Sequence, residues 1–290
     1  MSAAFLFFAA WSTAGSPATR SPADPLASLR DALEAGDLLK AVSLGEAAVA
    51  AEPASSEAQD LLGRAYGLTA KDSQLLEQMH LARKARACFA RAVELDPANV
   101  AALSDLARYD MQAPTLLGGG KKKAREVIGR VLALDPERGH VLLGELAERD
   151  KNWAEAESEY RRAIAAAPAS PRGRLGLSAL FVARKSYAEA RRVWIEAREL
   201  DPPSTLPDYE LAGIALASGE ELPAAVRELE QALSRPAPPE GPTPAALHER
   251  LALVYEKQGK KREAAAELQT ALALEPGRAD WLKRLARLEK

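Results

Sequence analysis

The sequence has little of the chemistry that disulfides, metal sites and β-sheets require. Among 290 residues there are one cysteine and three histidines, and aromatic residues make up 5%. Cys88 alone cannot form an internal disulfide or a cysteine-based zinc site. His80, His140 and His248 have no spacing that would pair metal ligands on one helix. Because alanine and leucine supply most of the apolar residues, the composition favours helices over strands.

Recognisable catalytic motifs are also missing. Ser178 lacks the closing glycine of a nucleophile elbow. The run Gly118-Gly119-Gly120-Lys121 fails as a phosphate loop, because Thr115 stands where its first glycine is needed and Lys122 where Ser or Thr is needed. A glycine turn beside lysines can still hold an anion, but a plain surface loop is the simpler interpretation. We therefore expect no enzyme activity, no cofactor and no metal.

Charge is balanced overall but unevenly distributed. The 39 basic and 41 acidic residues give a net charge of −2, so no general attraction to nucleic acid or membrane is expected. Residues 80–130 carry 10 basic and 5 acidic residues, whereas 201–255 carry 3 basic and 9 acidic ones. Blocks of alternating sign suit electrostatic matching to a partner, although solvated helix faces also produce them.

The amino terminus has features of an export signal. Residues 3–11 are entirely apolar but too short to span a bilayer, and Ser12-Thr13-Ala14 has the small-x-small pattern of a cleavage site. No Lys or Arg precedes Arg20, which departs from the usual signal. We expect residues 1–24 to be a signal peptide and flexible linker, with the protein periplasmic or secreted and no stable membrane span. The alternative is a frayed tail of a cytoplasmic protein.

Regularly placed prolines divide the rest of the chain. Each ends an Ala-rich stretch with helical periodicity, and neighbouring prolines are 32 to 44 residues apart. They are Pro53, Pro97, Pro136, Pro168, Pro202, Pro236 and Pro276. The stretch before each one repeats a pattern of small, bulky and small residues, as in Ala156, Tyr160 and Ala163 before Pro168.

This pattern resembles the tetratricopeptide repeat (TPR), whose unit is a helix–turn–helix of about 34 residues. The resemblance implies an all-α, right-handed α-solenoid of stacked antiparallel helix pairs (a TPR superhelix), closed by a C-terminal capping helix over 278–290. Between 25 and 277 it implies about seven units, with a Pro-rich linker at 236–244. The predicted units are 25–53, 54–97, 98–136, 137–168, 169–202, 203–236 and 243–277.

Two units are longer than the repeat. The second has roughly ten extra residues within 67–80, and Gln74–Arg91 is then predicted to form an unusually long helix. The third has roughly five extra residues within 112–121. In the third, the segment Ala113-Pro114-x-x-x-Gly118-Gly119 resembles a loop insertion of exported bacterial TPR proteins. That narrower resemblance implies no particular activity.

TPR proteins bind peptides in a concave groove lined by the first helix of each pair. The repeat register places eleven candidate partner-binding residues there: Glu57, Asp60, Arg64, Arg138, Val141, Glu145, Arg149, Arg172, Leu175, Glu249 and Leu253. Gly118, Gly119, Gly120 and Lys121 form a candidate loop site. Because asparagine is absent from the groove positions, a clamp for the acidic tails of chaperones is not expected.

The resemblance implies a non-catalytic scaffold or adaptor that binds another protein or peptide through this groove and the loop insertions. The alternative is an exported helper that binds a small ligand or assists transport or assembly at the envelope. The fold alone does not decide between them.

Overall fold

The computed structural model describes residues 25–71, 73–236 and 241–289, so the predicted signal peptide lies outside the described residues. Regular structure in these ranges is entirely helical, comprising fifteen α-helices and one 3-10 turn (Thr115–Leu117). The helices are α1 Pro25–Glu34, α2 Leu38–Ala51, α3 Ser56–Lys71, α4 Leu75–Leu95, α5 Val100–Gln112, α6 Lys121–Leu134, α7 Pro136–Arg149, α8 Trp153–Ala166, α9 Arg172–Ala183, α10 Tyr187–Leu200, α11 Leu206–Ser218, α12 Leu222–Leu233, α13 Pro244–Lys257, α14 Lys261–Leu274 and α15 Ala279–Leu288.

The chain forms two compact units, described over residues 25–176 and 177–289. In the first, each helix packs against the next from α1 to α8, and the odd-numbered helices α1, α3, α5 and α7 also contact one another. In the second, the same succession runs from α10 to α15, and α11 contacts α13. The predicted all-α class with stacked helix pairs is thereby confirmed. No helix in the described ranges combines the length and apolar character needed to cross a bilayer.

Proline and short polar side chains set the helix ends. Helices α2, α4, α6, α8, α10 and α14 each end two residues before one of the repeating prolines, which cannot donate a backbone hydrogen bond and restricts the residue before it. The Asp135 carboxylate then caps α7 by accepting from the Arg138 amide at 2.9 Å. The Asn99 side chain caps α5 in the same way, accepting from the Ala102 amide at 3.0 Å.

Glycines allow aromatic rings to enter between helices. A Cβ at position 63 would lie 2.6 Å from the Phe89 ring, and Cβ atoms at Gly144 and Gly176 would lie 2.6 Å and 2.4 Å from Tyr160. The Tyr160 hydroxyl donates to Glu148, and burial is the main cause that raises its pKa. Tyr66 makes the equivalent bond to Glu46, at 2.5 Å.

The two longer repeats use their extra residues differently. In the second, α3 continues to Lys71 and α4 begins at Leu75 and runs for 21 residues. Most residues of this insertion are therefore helical, and α4 confirms the long helix predicted from Gln74. In the third, the 3-10 turn is held by the Tyr109 hydroxyl, which donates to the Leu117 carbonyl oxygen at 3.0 Å.

Helix α15 seals the end of the second unit with Trp281, which is 4% exposed. The helical pattern of residues 278–290 predicts that Lys283, Arg284 and Arg287 face water, and for Arg284 this prediction is wrong. Its guanidinium lies 2.5 Å from carboxylate oxygens of both Glu249 and Glu256 on α13. The repeat register also predicts Trp153 between helices, but this side chain is 37% exposed at the start of α8.

Candidate functional site

The first helices of successive pairs in the first unit carry an unbroken run of ion pairs. We call it the charged row: Asp60 and Arg64 on α3, Asp105 and Arg108 on α5, and Glu145 on α7. These helices lie side by side, so side chains at matching repeat positions come within reach of one another.

Arginines connect the carboxylates of the row. Arg64 Nε donates to Asp105 Oδ2 at 2.6 Å, and its Nη2 lies 3.1 Å from Asp60 Oδ2. Arg108 forms a two-pronged pair with Glu145, in which Nε and Nη2 each lie 2.9 Å from a carboxylate oxygen. Two-pronged pairs of this kind are among the strongest and most directional ionic contacts.

Asp60 and Asp105 are both 3% exposed and close enough for a hydrogen bond between their carboxyl groups. The Oδ1 atom of each is buried and receives no other hydrogen bond. Burial, reinforced by the Asp105 charge, raises the pKa of Asp60 to about 8. Asp105 faces two arginines, which oppose the effect of burial on its pKa. At neutral pH this shift favours a proton on Asp60, next to the Asp105 carboxyl group.

The other charged groove candidates of the first unit bond within the protein as well. Glu57 pairs with Arg30 at 2.5 Å, and Arg172 pairs with the buried Glu137 at 2.9 Å. Arg149 donates to the Gln112 carbonyl oxygen at 3.2 Å. Arg138 lies 3.6 Å from Asp135, and burial together with Arg172 lowers its pKa.

The apolar candidates and the candidates beyond residue 176 are not part of the charged row. Val141 is buried and Leu175 is half-buried, both within the first unit. Glu249 and Leu253 lie in the second unit, where Glu249 is engaged by Arg284 and Leu253 is half-buried. Among the candidates, Asp60, Arg64 and Glu145 therefore join one continuous arrangement of charges, which Asp105 and Arg108 of α5 complete.

The glycine loop is closed by its own hydrogen bonds. The amides of Gly118, Gly119 and Gly120 donate to the carbonyl oxygens of Thr115, Pro114 and Asp110, at 2.9, 3.3 and 2.8 Å respectively. Lys121 pairs with Asp150. With these amides occupied, the geometry favours the surface-loop interpretation over anion binding by the loop.

The groove positions predicted from the sequence do not include Asp105 and Arg108, which connect the row. Arg64 and Arg108 are 44 residues apart, the same separation as Pro53 and Pro97, so the repeat register could have found the arginine. A histidine–glutamate pair that occurs in two repeats was also not predicted. His140 Nδ1 lies 2.7 Å from Glu159, and His248 Nδ1 lies 2.6 Å from Glu267, in each case across one helix pair.

Other reactive groups have ordinary packing roles. Burial raises the pKa of the Cys88 thiol to about 11, which keeps it protonated. Within the described ranges, no three His, Cys, Asp or Glu side chains come together as metal ligands.

Comparisons with known proteins agree with this architecture. The tetratricopeptide repeat family model matches residues 111–171 and 249–289, so the chain contains tetratricopeptide repeats in those segments. No curated protein matches the sequence. Tetratricopeptide folds generally act as protein-interaction scaffolds.

Solved structures extend the likeness along the chain. A tetratricopeptide repeat protein from Parabacteroides merdae has a TM-score of 0.50 at 20% identity, covering 92% of this chain and 98% of that one. Yeast Tom70 has a TM-score of 0.60 at 16% identity, over 94% of this chain and 58% of Tom70. The human IFIT1 dimer with m7Gppp-AAAA has a TM-score of 0.53 at 15% identity, over 91% of this chain and 63% of IFIT1. At these identities the likeness shows the fold alone.

Proposed function

We propose that this protein is a non-catalytic adaptor that binds another polypeptide along the charged row of its first unit. The observation that carries the proposal is the row itself, which places alternating positive and negative side chains across three neighbouring first helices. Arg64, Arg108 and Glu145 remain 24%, 22% and 32% exposed, so a partner can reach them.

Stability alone is a poor explanation for such a row. Taking charges out of water costs about as much as their attraction returns, and apolar residues of similar volume often stabilise a fold better. A spatial row of charges that still contacts water is better suited to recognition. Such a row can set the register and orientation of a complementary chain. A segment of alternating charge could exchange ion pairs with the row.

A charge exchange tests the proposal without removing the internal ion pair. The double variant R108E/E145R keeps opposite charges facing each other on α5 and α7 but reverses the signs that a partner meets. Because Arg108 also lies 3.8 Å from the buried Asp105, we expect a lower melting temperature, and circular dichroism checks that the variant is folded. The folded variant should lose partner proteins in quantitative pull-downs from native-host extracts. The individual substitutions Arg138→Ala, Arg149→Ala and Arg172→Ala should weaken the same capture.

The matched control is E157R/R161E on α8. It exchanges an exposed pair with a separation of 2.9 Å outside the charged row and should leave capture unchanged. Equal capture by wild type and R108E/E145R would show that partners do not use the charged row.

We also propose that the protein is exported to the periplasm or secreted. The apolar run at residues 3–11 and the small-x-small site ending at Ala14 support this. Mass spectrometry of the mature amino terminus tests it, and recovery of the intact Met1–Ala14 segment from the native host would contradict it.

A further inference from the structure

The second unit contains an arginine-lined cavity of about 570 Å³ next to α10, α11 and α12. Its charged and amide lining consists of Arg198, Arg227, Arg235, Gln231, Asp208 and Glu228. None of these residues belongs to the charged row or was predicted to line the groove.

The cavity is basic in an otherwise acidic stretch of sequence. Residues 201–255 contain only three basic residues against nine acidic ones, yet two of those three, Arg227 and Arg235, line this cavity. Arg198 from the end of α10 adds a third guanidinium. With Asp208 and Glu228 counted, the lining keeps an excess of positive charge.

Two of the arginines are held in place by a buried acid. Arg198 Nη1 donates to Asp208 Oδ1 at 3.1 Å, and Arg235 Nη2 donates to the other oxygen of the same carboxylate. Arg235 Nη1 also donates to the Pro202 carbonyl oxygen at 2.8 Å. Asp208 is 3% exposed, so these contacts fix both guanidinium groups before any ligand arrives, which lowers the entropy cost of binding.

Donors remain unused on the cavity side. The Nε and Nη2 atoms of Arg198 make no bond to any described residue, and Arg227 has no described partner. Arg227 and Gln231 are four residues apart on α12 and therefore share one helix face. Arg227 is exposed, so its guanidinium can reach a ligand in the cavity without breaking a contact within the protein.

We propose that this cavity binds a phosphate monoester. Three guanidinium groups that come from α10, from α12 and from the residues just after α12 suit a tetrahedral anion, whose oxygens accept in several directions, better than a planar carboxylate. The volume lies within the range of small-molecule sites and exceeds the need of a free phosphate ion. The cavity therefore has room for a group that carries the phosphate.

Calorimetric titration of the full chain with a blocked Gly-phosphoserine-Gly peptide, and separately with inorganic phosphate, tests this assignment. We expect the ester to bind more tightly than the free ion, and the unphosphorylated peptide to show no binding. Arg227→Gln should weaken binding of the ester about tenfold. Because Arg227 has no described partner, this variant should keep the wild-type melting temperature.

Arg192→Gln is the matched control, since Arg192 is an exposed arginine of α10 that pairs with Glu196 and lies outside the cavity. It should bind the ester like wild type. The assignment is overturned if neither probe binds at millimolar concentration, if Arg227→Gln binds as wild type does, or if inorganic phosphate binds and the ester does not.

Discussion

At the scale of single residues, a contact between two carboxyl groups changes the role predicted for Asp60. Asp60 was expected to offer a charge to a partner, but it lies buried beside Asp105 and keeps a proton. The register places Asp60 on the correct helix face. It does not reveal that a second carboxylate from the next repeat occupies the same space.

This shared proton makes stability depend on pH. Asp60 binds its proton more tightly in the folded chain, where its pKa is about 8, than in the unfolded chain, where aspartate titrates near 4. The folded state therefore loses stability as the pH rises through this interval and changes little above it.

Asp60→Asn should remove that dependence, because an amide donates to Asp105 without needing a bound proton. We expect the free energy of unfolding at pH 8 to increase by on the order of 1 kcal/mol and its slope between about pH 5 and 8 to flatten. Urea denaturation at several pH values measures both quantities.

Asp105→Asn is the contrasting variant. It leaves Arg64 and Arg108 without the carboxylate between them, and should destabilise the fold by about 2 kcal/mol or more. If both variants shifted stability in the same direction at pH 8, Asp60 would not be the protonated partner.

At the scale of helices, the sequence predicts most of the boundaries that proline and capping residues define. Pro97 and Asn99, for example, fix the end of α4 and the start of α5 by local chemistry that any reader of the chain can recognise. The unusual length of α4 also follows from the sequence, since residues 74–91 continue the helical pattern without a break. Its helical state depends on packing against α3.

Two glycines of α3 provide a test of this packing. Gly63→Ala places a methyl group against the Phe89 ring and should cost about 1–3 kcal/mol. Gly67→Ala places it 3.9 Å from the Ala85 side chain, an ordinary contact, and should stabilise α3 by about 0.5–1 kcal/mol through better helix propensity. Thermal denaturation of both variants measures the difference, and equal effects would contradict the close approach of α3 and α4.

At the scale of the whole molecule, stability in a repeat protein is largely a sum of local terms, because each repeat contacts its neighbours. The ion pairs between repeats could not be predicted from the sequence. They join side chains from helices such as α3 and α5, tens of residues apart, and the register alone does not say whether such charges bond to each other or stay open to a partner.

Core truncations in the two units should therefore have separate effects. Leu251→Ala removes a buried side chain from the core around α11 to α13, and Leu142→Ala removes one from the core that includes α5 to α7. Each should cost about 2–5 kcal/mol. Hydrogen exchange should show lost protection in α11–α14 for the first variant and in α5–α8 for the second. Loss across both units in either variant would mean that the chain unfolds as one cooperative body.

The two tyrosine–glutamate bonds give the protein built-in optical reporters. The glutamate next to each phenol, together with burial, opposes ionisation of Tyr66 and Tyr160. In an alkaline titration their tyrosinate absorbance should appear only when α2 separates from α3, or α7 from α8. Tyr66 lies towards one end of the first unit and Tyr160 towards the other. Replacing either tyrosine with phenylalanine would therefore assign each change in tyrosinate absorbance to one helix pair, with no added label.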